Sequence, residues 1–400
     1  MVCVRVNKTL KATNKNMHSD KIKLRSFLTT LYFAGDVKRY AQTKMESLMK
    51  IIPNIMSGIQ LTGHGDLDKL VLRNDIPVPN IGPRDVLIKV SAAGVNNTDI
   101  NTRTAWYSKS EGNSGDSSWS GGPIQFPRIQ GADVCGRVVA VGEQVDKRIL
   151  NERVLVEPCI REAGGSTLEL PWYFGSECDG GFAEYTVVAA RHAYQINSSF
   201  SDVGLASFPC SYSTAENMLT RAKVTATDTV LVTGASGGVG SAVIQLTKAR
   251  DAKVIAITSE SKVADILSLG ANKTLDRNEN IVQALGKNSV DVVIDLVAGS
   301  QWPDHLEVLK PFGRYAAAGA IAGPLVELDV RTLYLKDLSL FGCTVLGEEV
   351  FGNLIKRIEA EQIKPLVSKT FAISQIAEAQ QQFELKKHIG KLVIDLSIVN

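Results

Sequence analysis

Residues 229–262 read TVLVTGASGGVGSAVIQLTKARDAKVIAITSESK. Residues 229–233 are a short β-branched run without charge, as suits a strand buried on both faces. A glycine-rich turn follows, then a stretch at 241–249 that predicts a helix, then a second apolar run at 253–257. Strand, turn, helix, strand is a right-handed crossover between parallel strands, and it aims the turn and the helix N-terminus at one crevice. Unpaired amides and the positive end of the helix dipole suit that spot to a pyrophosphate. Read as A-x-G-x-x-G, the turn uses Gly237 for close backbone approach and Gly240 for packing helix on strand. Ala235 stands where the fingerprint has its first glycine. Ser236, Gly237, Gly238, Val239 and Gly240 are therefore candidate contacts to a dinucleotide.

The same residues fit G-x-S-x-G, the nucleophile elbow of serine hydrolases, with Asp295 and His305 following in a permissible order. A phosphate-binding P-loop would need Lys before Ser241, where Gly240 stands. The end of the second strand separates the two nicotinamide dinucleotides: NAD sites place a carboxylate there for the ribose 2′-OH, and NADP sites place cations and hydroxyls. Thr258 occupies that position, with Ser259 and Lys262 close by and Arg277 after the third expected strand. Glu260 is discordant, since a carboxylate turned inward would repel a 2′-phosphate. The balance favours NADPH.

Four hundred residues suggest two domains. A charged fraction of 22% and a hydrophobic fraction of 44% are those of a globular protein, and a net charge of +2 gives no reason to expect nucleic acid as partner. No apolar run reaches the length of a membrane-spanning helix. The six cysteines are scattered without a CxxC, which fits a reducing compartment, here the cytoplasm. Residues 1–50 hold 11 Lys/Arg against 3 Asp/Glu, and the remainder is acidic. This basic segment reads as a dispensable, disordered arm, with organelle targeting as an open alternative.

From Met56 the pattern is β-rich: strands at 57–61, 70–73 and 85–90, a Ser/Gly-rich surface loop at 108–123, then the stretch PRIQGADVCGRVVAVG at 127–142 and another strand at 152–157. After a helical lead-in at 213–221, strands and helices alternate through 291–296, 302–309 and 314–318, the sign of an open parallel sheet. Helices are expected at 350–361 and 374–386 and a last strand at 391–396.

The ordered motifs AAGVNNTD (92–99), GADVCGRVVAVG (131–142), DGGFAEY (179–185), PCSYSTA (209–215), GASGGVG (234–240) and GKLV (390–393) resemble the medium-chain dehydrogenase/reductase superfamily, in its zinc-free quinone oxidoreductase-like branch. The resemblance implies an α/β architecture: a GroES-like β-barrel catalytic domain at 56–200, completed by 346–400, and a Rossmann doubly wound parallel sheet domain at 201–345. Residues 1–55 are left as the extension. Zinc members carry Cys where this chain has Asn96 and His where it has Ala132; Asp133 replaces their Glu, and Cys210 alone keeps a ligand type. Catalytic zinc wants three protein ligands, so both the catalytic and the structural metal sites read as missing and Cys210 as a packed thiol.

By the same resemblance Asn96 lies beside the nicotinamide and donates to the substrate oxygen. Tyr107 lines the cleft as a hydrogen-bond donor or proton relay, and Asp99 completes the catalytic set or orients its neighbours. Tyr212 and Thr214 face the nicotinamide, Gly319 and Ile321 pass along its ring, and Lys391 joins the coenzyme contacts. Without a Lewis acid an activated acceptor fits best, a quinone or an α,β-unsaturated carbonyl. The alternatives are an alcohol or carbonyl dehydrogenase with residual metal at Cys210 and Asp133, and a non-catalytic NADPH-binding sensor. A homodimer is implied by the resemblance.

Overall fold

The structure, a computed structural model, describes residues 52–109 and 115–398. The expected basic extension thus lies outside the described residues except for its last four positions, as does the tip of the polar loop at 110–114. The β-rich part contains strands β1 (Ile55–Leu61), β2 (Leu70–Pro77) and β4 (Arg128–Ile129) as one small sheet. A larger sheet collects β10 (Ala193–Gln195), β6 (Arg153–Val156), β5 (Cys135–Val141), β3 (Asp85–Val95), β18 (Lys391–Asp395) and β17 (Val367–Phe371) in that order, with β9 (Tyr185–Ala189) also on β3. A hairpin of β7 (Cys159–Ala163) and β8 (Ser166–Tyr173) stands apart.

β3 runs five residues past the stretch its alternation predicts. The reason is tertiary: β18 pairs antiparallel with its far end, Leu392 opposite Val95 and Asp395 opposite Ala92. Covered on both faces, this end of β3 is made of small residues, Ala92-Ala93-Gly94-Val95, all buried. The pairing also brings Lys391 beside Asn96, the residue that follows β3.

The other part is a six-stranded parallel sheet in the order β13 (Lys273–Asp276), β12 (Lys253–Thr258), β11 (Thr229–Val232), β14 (Val290–Asp295), β15 (Leu309–Ala317), β16 (Ser339–Gly342). Its side chains sort by the two-residue period of a strand. Val230, Val232, Val254, Val292 and Ile294 pack with one buried layer, and Leu231, Ile257 and Val293 with the other. Burial of one such aliphatic side chain stabilises by about 2 kcal/mol, so the uncharged β11 run can sit only at the centre of a sheet covered on both faces. Chain order reverses at β11, whose neighbours are β12 and β14, and a doubly wound sheet opens its ligand crevice there.

Candidate active site

The glycine turn joins β11 to a helix at Gly238–Lys248. Gly234 takes φ +59°, a conformation that costs L-residues free energy and glycine little. The left-handed position is thus one residue earlier than the fingerprint places it, which is why Ala235 is tolerated. A Cβ on Gly240 would come within 2.7 Å of Ala235 Cα, whereas one on Gly237 would meet nothing of the protein nearer than 3.5 Å. Gly240 is therefore required by packing, and Gly237 keeps a backbone face open to a ligand. Gly238 has a different reason: a Cβ there would press on Ser211 Oγ at 2.6 Å and on Lys391 Cδ at 3.0 Å.

At the far end of the crevice Thr258 closes β12 and is buried, its Oγ1 without a hydrogen-bond partner among the described residues. Lys262 Nζ donates to the carbonyls of Lys386 and His388, each at 2.9 Å, and reaches Ser236 Oγ at 3.4 Å. Burial lowers the Lys262 pKa, and the nearby Arg277 charge lowers it further. Two cations thus sit within electrostatic reach of each other where a 2′-phosphate would neutralise both. Ser259 is half-buried beside them, and Glu260 is exposed. These residues fit the adenosine end of a nicotinamide dinucleotide: an open glycine face and, among the described residues, an unpaired hydroxyl and cations without a counter-anion.

The second cluster lies at the junction of β3, a short helix α1 (Asn97–Arg103), and the N-terminus of α2 (Pro209–Arg221). Asp133 is its hub. Its Oδ2 accepts from Asn96 Nδ2 at 2.8 Å and from Lys391 Nζ at 2.7 Å, and its Oδ1 accepts from Cys210 N at 2.5 Å. Lys391 Nζ also donates to Asn96 Oδ1. A carboxylate can only accept and an ammonium can only donate, so the Asn96 amide has one possible orientation. Its second N–H rests on Gly94 O at 3.2 Å. A Cβ on Gly94 would lie 2.8 Å from Ala206 O and strike Asp133 as well, so this glycine makes room for the hub.

The structure places the expected site residues as follows. Asn96 is buried with both amide protons committed, so it presents no spare donor to the cleft. Asp99 is the N3 carboxylate of the α1 capping box; it accepts from Asn96 N at 2.8 Å and Gly131 N at 3.2 Å, which makes it a positioning group. Burial pushes its pKa up to about 7. Lys391 turns to Asp133 and Asn96. Thr214 Oγ1 donates back to Cys210 O at 2.8 Å within α2. Tyr212 is a core residue, packed on Phe208 and holding Lys364 O with its hydroxyl. A Cβ on Gly319 would lie 2.6 Å from Leu296 O, so that glycine is required by packing, while Ile321 is 62% exposed. Tyr107 donates to Thr98 Oγ1 at 3.0 Å, and burial raises its pKa to about 12.

The sequence reading missed Tyr173. The β7–β8 hairpin ends on it, and its hydroxyl lies 3.0 Å from Cys210 Sγ. Burial pushes both groups up, the thiol to about 12 and the phenol well above its ordinary value, so both are neutral. Phenol and thiol carry two protons between them and their mutual bond uses one, which leaves one to donate. Trp119 stacks on the Tyr173 ring with centroids 4.9 Å apart. Residues 117–119 of the polar loop therefore fold inward instead of lying on the surface. Glu177 draws it in, accepting from Ser120 N at 2.7 Å and Tyr173 N at 2.8 Å, and His64 Nε2 meets Ser117 Oγ at 2.9 Å. Among the described residues no group of three or more His, Cys, Asp or Glu side chains could hold a metal ion.

The hydrolase alternative has no geometry. His305 is buried 3.3 Å from Asp295, whose oxygens also accept from Thr233 Oγ1 and Tyr315 OH, each at 2.6 Å. Ser236 Oγ faces the Lys262 ammonium, so no base attends it.

Comparison with known proteins agrees with this geometry. Residues 82–198 match the alcohol dehydrogenase GroES-like domain and residues 238–360 the zinc-binding dehydrogenase family. The quinone oxidoreductase of Lama guanicoe is 28% identical, over 82% of this chain and 93% of that protein. The chloroplastic NADPH-dependent alkenal/one oxidoreductase of Arabidopsis thaliana is 30% identical, over 86% of this chain and 80% of that protein. Among solved structures, a provisionally assigned alcohol dehydrogenase of Sinorhizobium meliloti 1021 is 42% identical with a TM-score of 0.79, covering 88% of this chain and 99% of its own. With its GroES-like and Rossmann folds, its coenzyme crevice and a site without a metal-ligand set, the chain belongs to the medium-chain dehydrogenase/reductase superfamily of NAD(P)-dependent oxidoreductases and is homologous to the quinone oxidoreductases.

Proposed function

We propose that this protein transfers a hydride from NADPH to the conjugated carbon of a quinone or an α,β-unsaturated carbonyl compound, without a metal ion. The observation that carries the reading is the content of the acceptor site. Lys391, Asn96 and Asp133 form a closed, mutually satisfied set, and the Tyr173–Cys210 pair stands beside it with one proton to donate. Such a site offers hydrogen bonds and no Lewis acid. A simple carbonyl reduced by hydride concentrates its charge on one oxygen and gains most from a metal. A conjugated acceptor spreads the charge, and neutral donors suffice to hold it. The coenzyme supplies a hydride when bound; one proton completes the reduction, so one NADPH and one proton are consumed per acceptor.

The neighbouring charges of Lys262 and Arg277, with the unpaired hydroxyl of Thr258, support the phosphorylated coenzyme. We assign Ser236–Gly240 in the turn to the pyrophosphate and residues 319–321 to the nicotinamide side. We assign Tyr107 to the wall of the acceptor site, with its hydroxyl proton held by Thr98 Oγ1. We assign the catalytic domain to 56–200 with 346–400 and the coenzyme domain to 201–345. We assign a homodimer in which β16, the edge of the parallel sheet, pairs with a second copy; Leu335 and Tyr334 expose apolar surface just before that edge. Light scattering is expected to give twice 43.2 kDa. The free thiols of Cys135, Cys159, Cys178, Cys210 and Cys343 support a cytoplasmic setting.

A second reading, an alcohol or carbonyl dehydrogenase, is favoured by the 42% identity to the Sinorhizobium meliloti protein. NADPH oxidation against quinones, open-chain and cyclic enones, and saturated aldehydes separates the two. Turnover of quinones or enones is expected. Turnover confined to saturated aldehydes would support the second reading, and tight coenzyme binding with no turnover at all would support a sensor.

A further inference from the structure

We propose that Trp119 selects the acceptor: its indole is a stacking wall that favours flat, ring-bearing conjugated carbonyl compounds over open-chain ones. The proposal rests on the functional reading above for its chemistry and on geometry for the rest. Trp119 packs on a small apolar cluster made of Ala132, Tyr173 and Cys210. Those three are buried, at 0, 5 and 8% exposure, whereas Trp119 is half-buried. The indole is therefore the member of the cluster with surface left to offer an incoming molecule. Tyr173 and Cys210 contribute the polar atoms and Trp119 the apolar face, the usual division in a site for a small molecule.

The backbone that carries the indole is held firmly. Trp119 N donates to Ser176 Oγ at 3.2 Å, and the next amide, of Ser120, donates to Glu177 Oε1 at 2.7 Å. Ser118 N donates to Gly122 O and Gly122 N to Ser118 Oγ, each at 2.9 Å, which closes a turn around the tryptophan. The other oxygen of Glu177 accepts from Tyr173 N at 2.8 Å. One carboxylate thus fixes the chain beside both rings, which lie 30° from parallel with centroids 4.9 Å apart, within the offset-stacked range. A wall set in advance leaves little ordering entropy to be lost when a ring arrives. The Tyr173 hydroxyl sits on the rim of the ring that the indole covers. An acceptor oxygen that takes its hydrogen bond therefore carries the rest of the acceptor to within a ring's width of Trp119. A flat ring conjugated with that carbonyl finds an aromatic face to lie against, and an open chain does not. Tyr107 stands in the electrostatic neighbourhood of both Tyr173 and Cys210, so a third ring borders the same donors.

The test uses the full-length protein with Trp119→Leu and Trp119→Phe. Two acceptors share one enone and differ at the β-carbon: benzylideneacetone carries a phenyl ring there and ethylideneacetone a methyl group. In Trp119→Leu the ratio of kcat/KM for the phenyl over the methyl acceptor should fall about tenfold, the scale of a lost aromatic contact. The fall should lie in KM, because contact with a part of the acceptor that does not react is equal in ground and transition states. Trp119→Phe keeps a ring and should hold the ratio within about threefold of the parent. Calorimetric titration with β-naphthol, which is flat and takes no hydride, reads the wall without turnover; its Kd should rise about tenfold in Trp119→Leu. Where that variant does not fold, Trp119→Met supplies the same comparison. A further arm needs no variant: the parent should bind β-naphthol about tenfold more tightly than the puckered, saturated decahydro-β-naphthol.

An unchanged ratio in Trp119→Leu, or equal losses for both acceptors, would reduce Trp119 to a support of the hairpin and overturn the proposal. Equal affinity of the parent for β-naphthol and its saturated counterpart would overturn it too. Should the parent protein reduce no enone and no quinone, the functional reading fails. The β-naphthol arms then still decide whether an aromatic wall is present.

Discussion

Tyr173 Oη and Cys210 Sγ lie 3.0 Å apart, one at the end of a hairpin and the other in the first turn of α2. Neither has an ionised form within reach of neutral pH, and together they hold one donor proton more than their own bond requires. Tyr173→Phe removes the O–H donor, leaves only the weaker S–H of Cys210, and keeps the ring on which Trp119 stacks. We expect kcat to fall about 100-fold, within the range for a lost proton donor, with the acceptor KM changed far less. Steady-state kinetics at saturating NADPH checks this, and an unchanged kcat would exclude the Tyr173 hydroxyl from the chemistry.

Gly237 and Gly240 look equivalent in the sequence and should behave differently on substitution. Gly237→Ala fits the protein, since its nearest neighbour is 3.5 Å away, so the melting temperature should hold while NADPH affinity drops. Gly240→Ala drives a methyl into the backbone of the turn and should destabilise the fold by about 1–3 kcal/mol, as overpacking does. Thermal melts with and without coenzyme separate the two effects.

Lys262 and Arg277 should set the choice of coenzyme. Charge-assisted hydrogen bonds are worth about 1.5–3 kcal/mol each, so Lys262→Ala or Arg277→Ala should weaken NADPH binding roughly tenfold or more, with little effect on NADH. The ratio of the two dissociation constants is the readout. Equal losses for both coenzymes would mean that the cations do not meet a 2′-phosphate.

Asp99 gives the pH dependence. Burial raises its pKa to about 7 from an ordinary value of 3.8, so between those values the folded chain keeps a proton that the unfolded chain has released. Stability from this group is unaffected below about pH 4, declines as pH rises towards 7, and stays at the lower level above it. Asp99→Asn cannot titrate and should flatten that decline. Denaturant unfolding of both proteins across this range is the measurement, and parallel curves would contradict it.

The sequence made one half of the site legible and obscured the other, for a physical reason. The coenzyme crevice is local: strand, turn and helix are contiguous, so Gly237, Gly240 and Thr258 can be read from spacing. Even there the left-handed residue is Gly234, a detail fixed by backbone geometry and not by motif. The acceptor site is built from distant segments. Nothing near Lys391 announces that β18 will pair with β3 and set its ammonium on Asp133. Tyr173 lies in a segment without any motif, and the inward turn of residues 117–119 depends on Glu177 and His64. Asn96 was found by its motif, but its partners Asp133 and Lys391 come from distant segments. Tyr212 was misread because an aromatic residue in α2 can face core or cleft, and burial against Phe208 decides the matter.

The account turns on hydride delivery to a conjugated carbon without a metal ion. The most direct measurement uses protein treated with a chelator and verified free of zinc by elemental analysis, given NADPH carrying deuterium at the transferable C4 position and an enone acceptor. The account predicts one deuterium at the β-carbon of each product molecule, formed at the rate of the untreated protein. Turnover that disappears with the chelator and returns with stoichiometric zinc, or a product labelled at the carbonyl carbon, would contradict it.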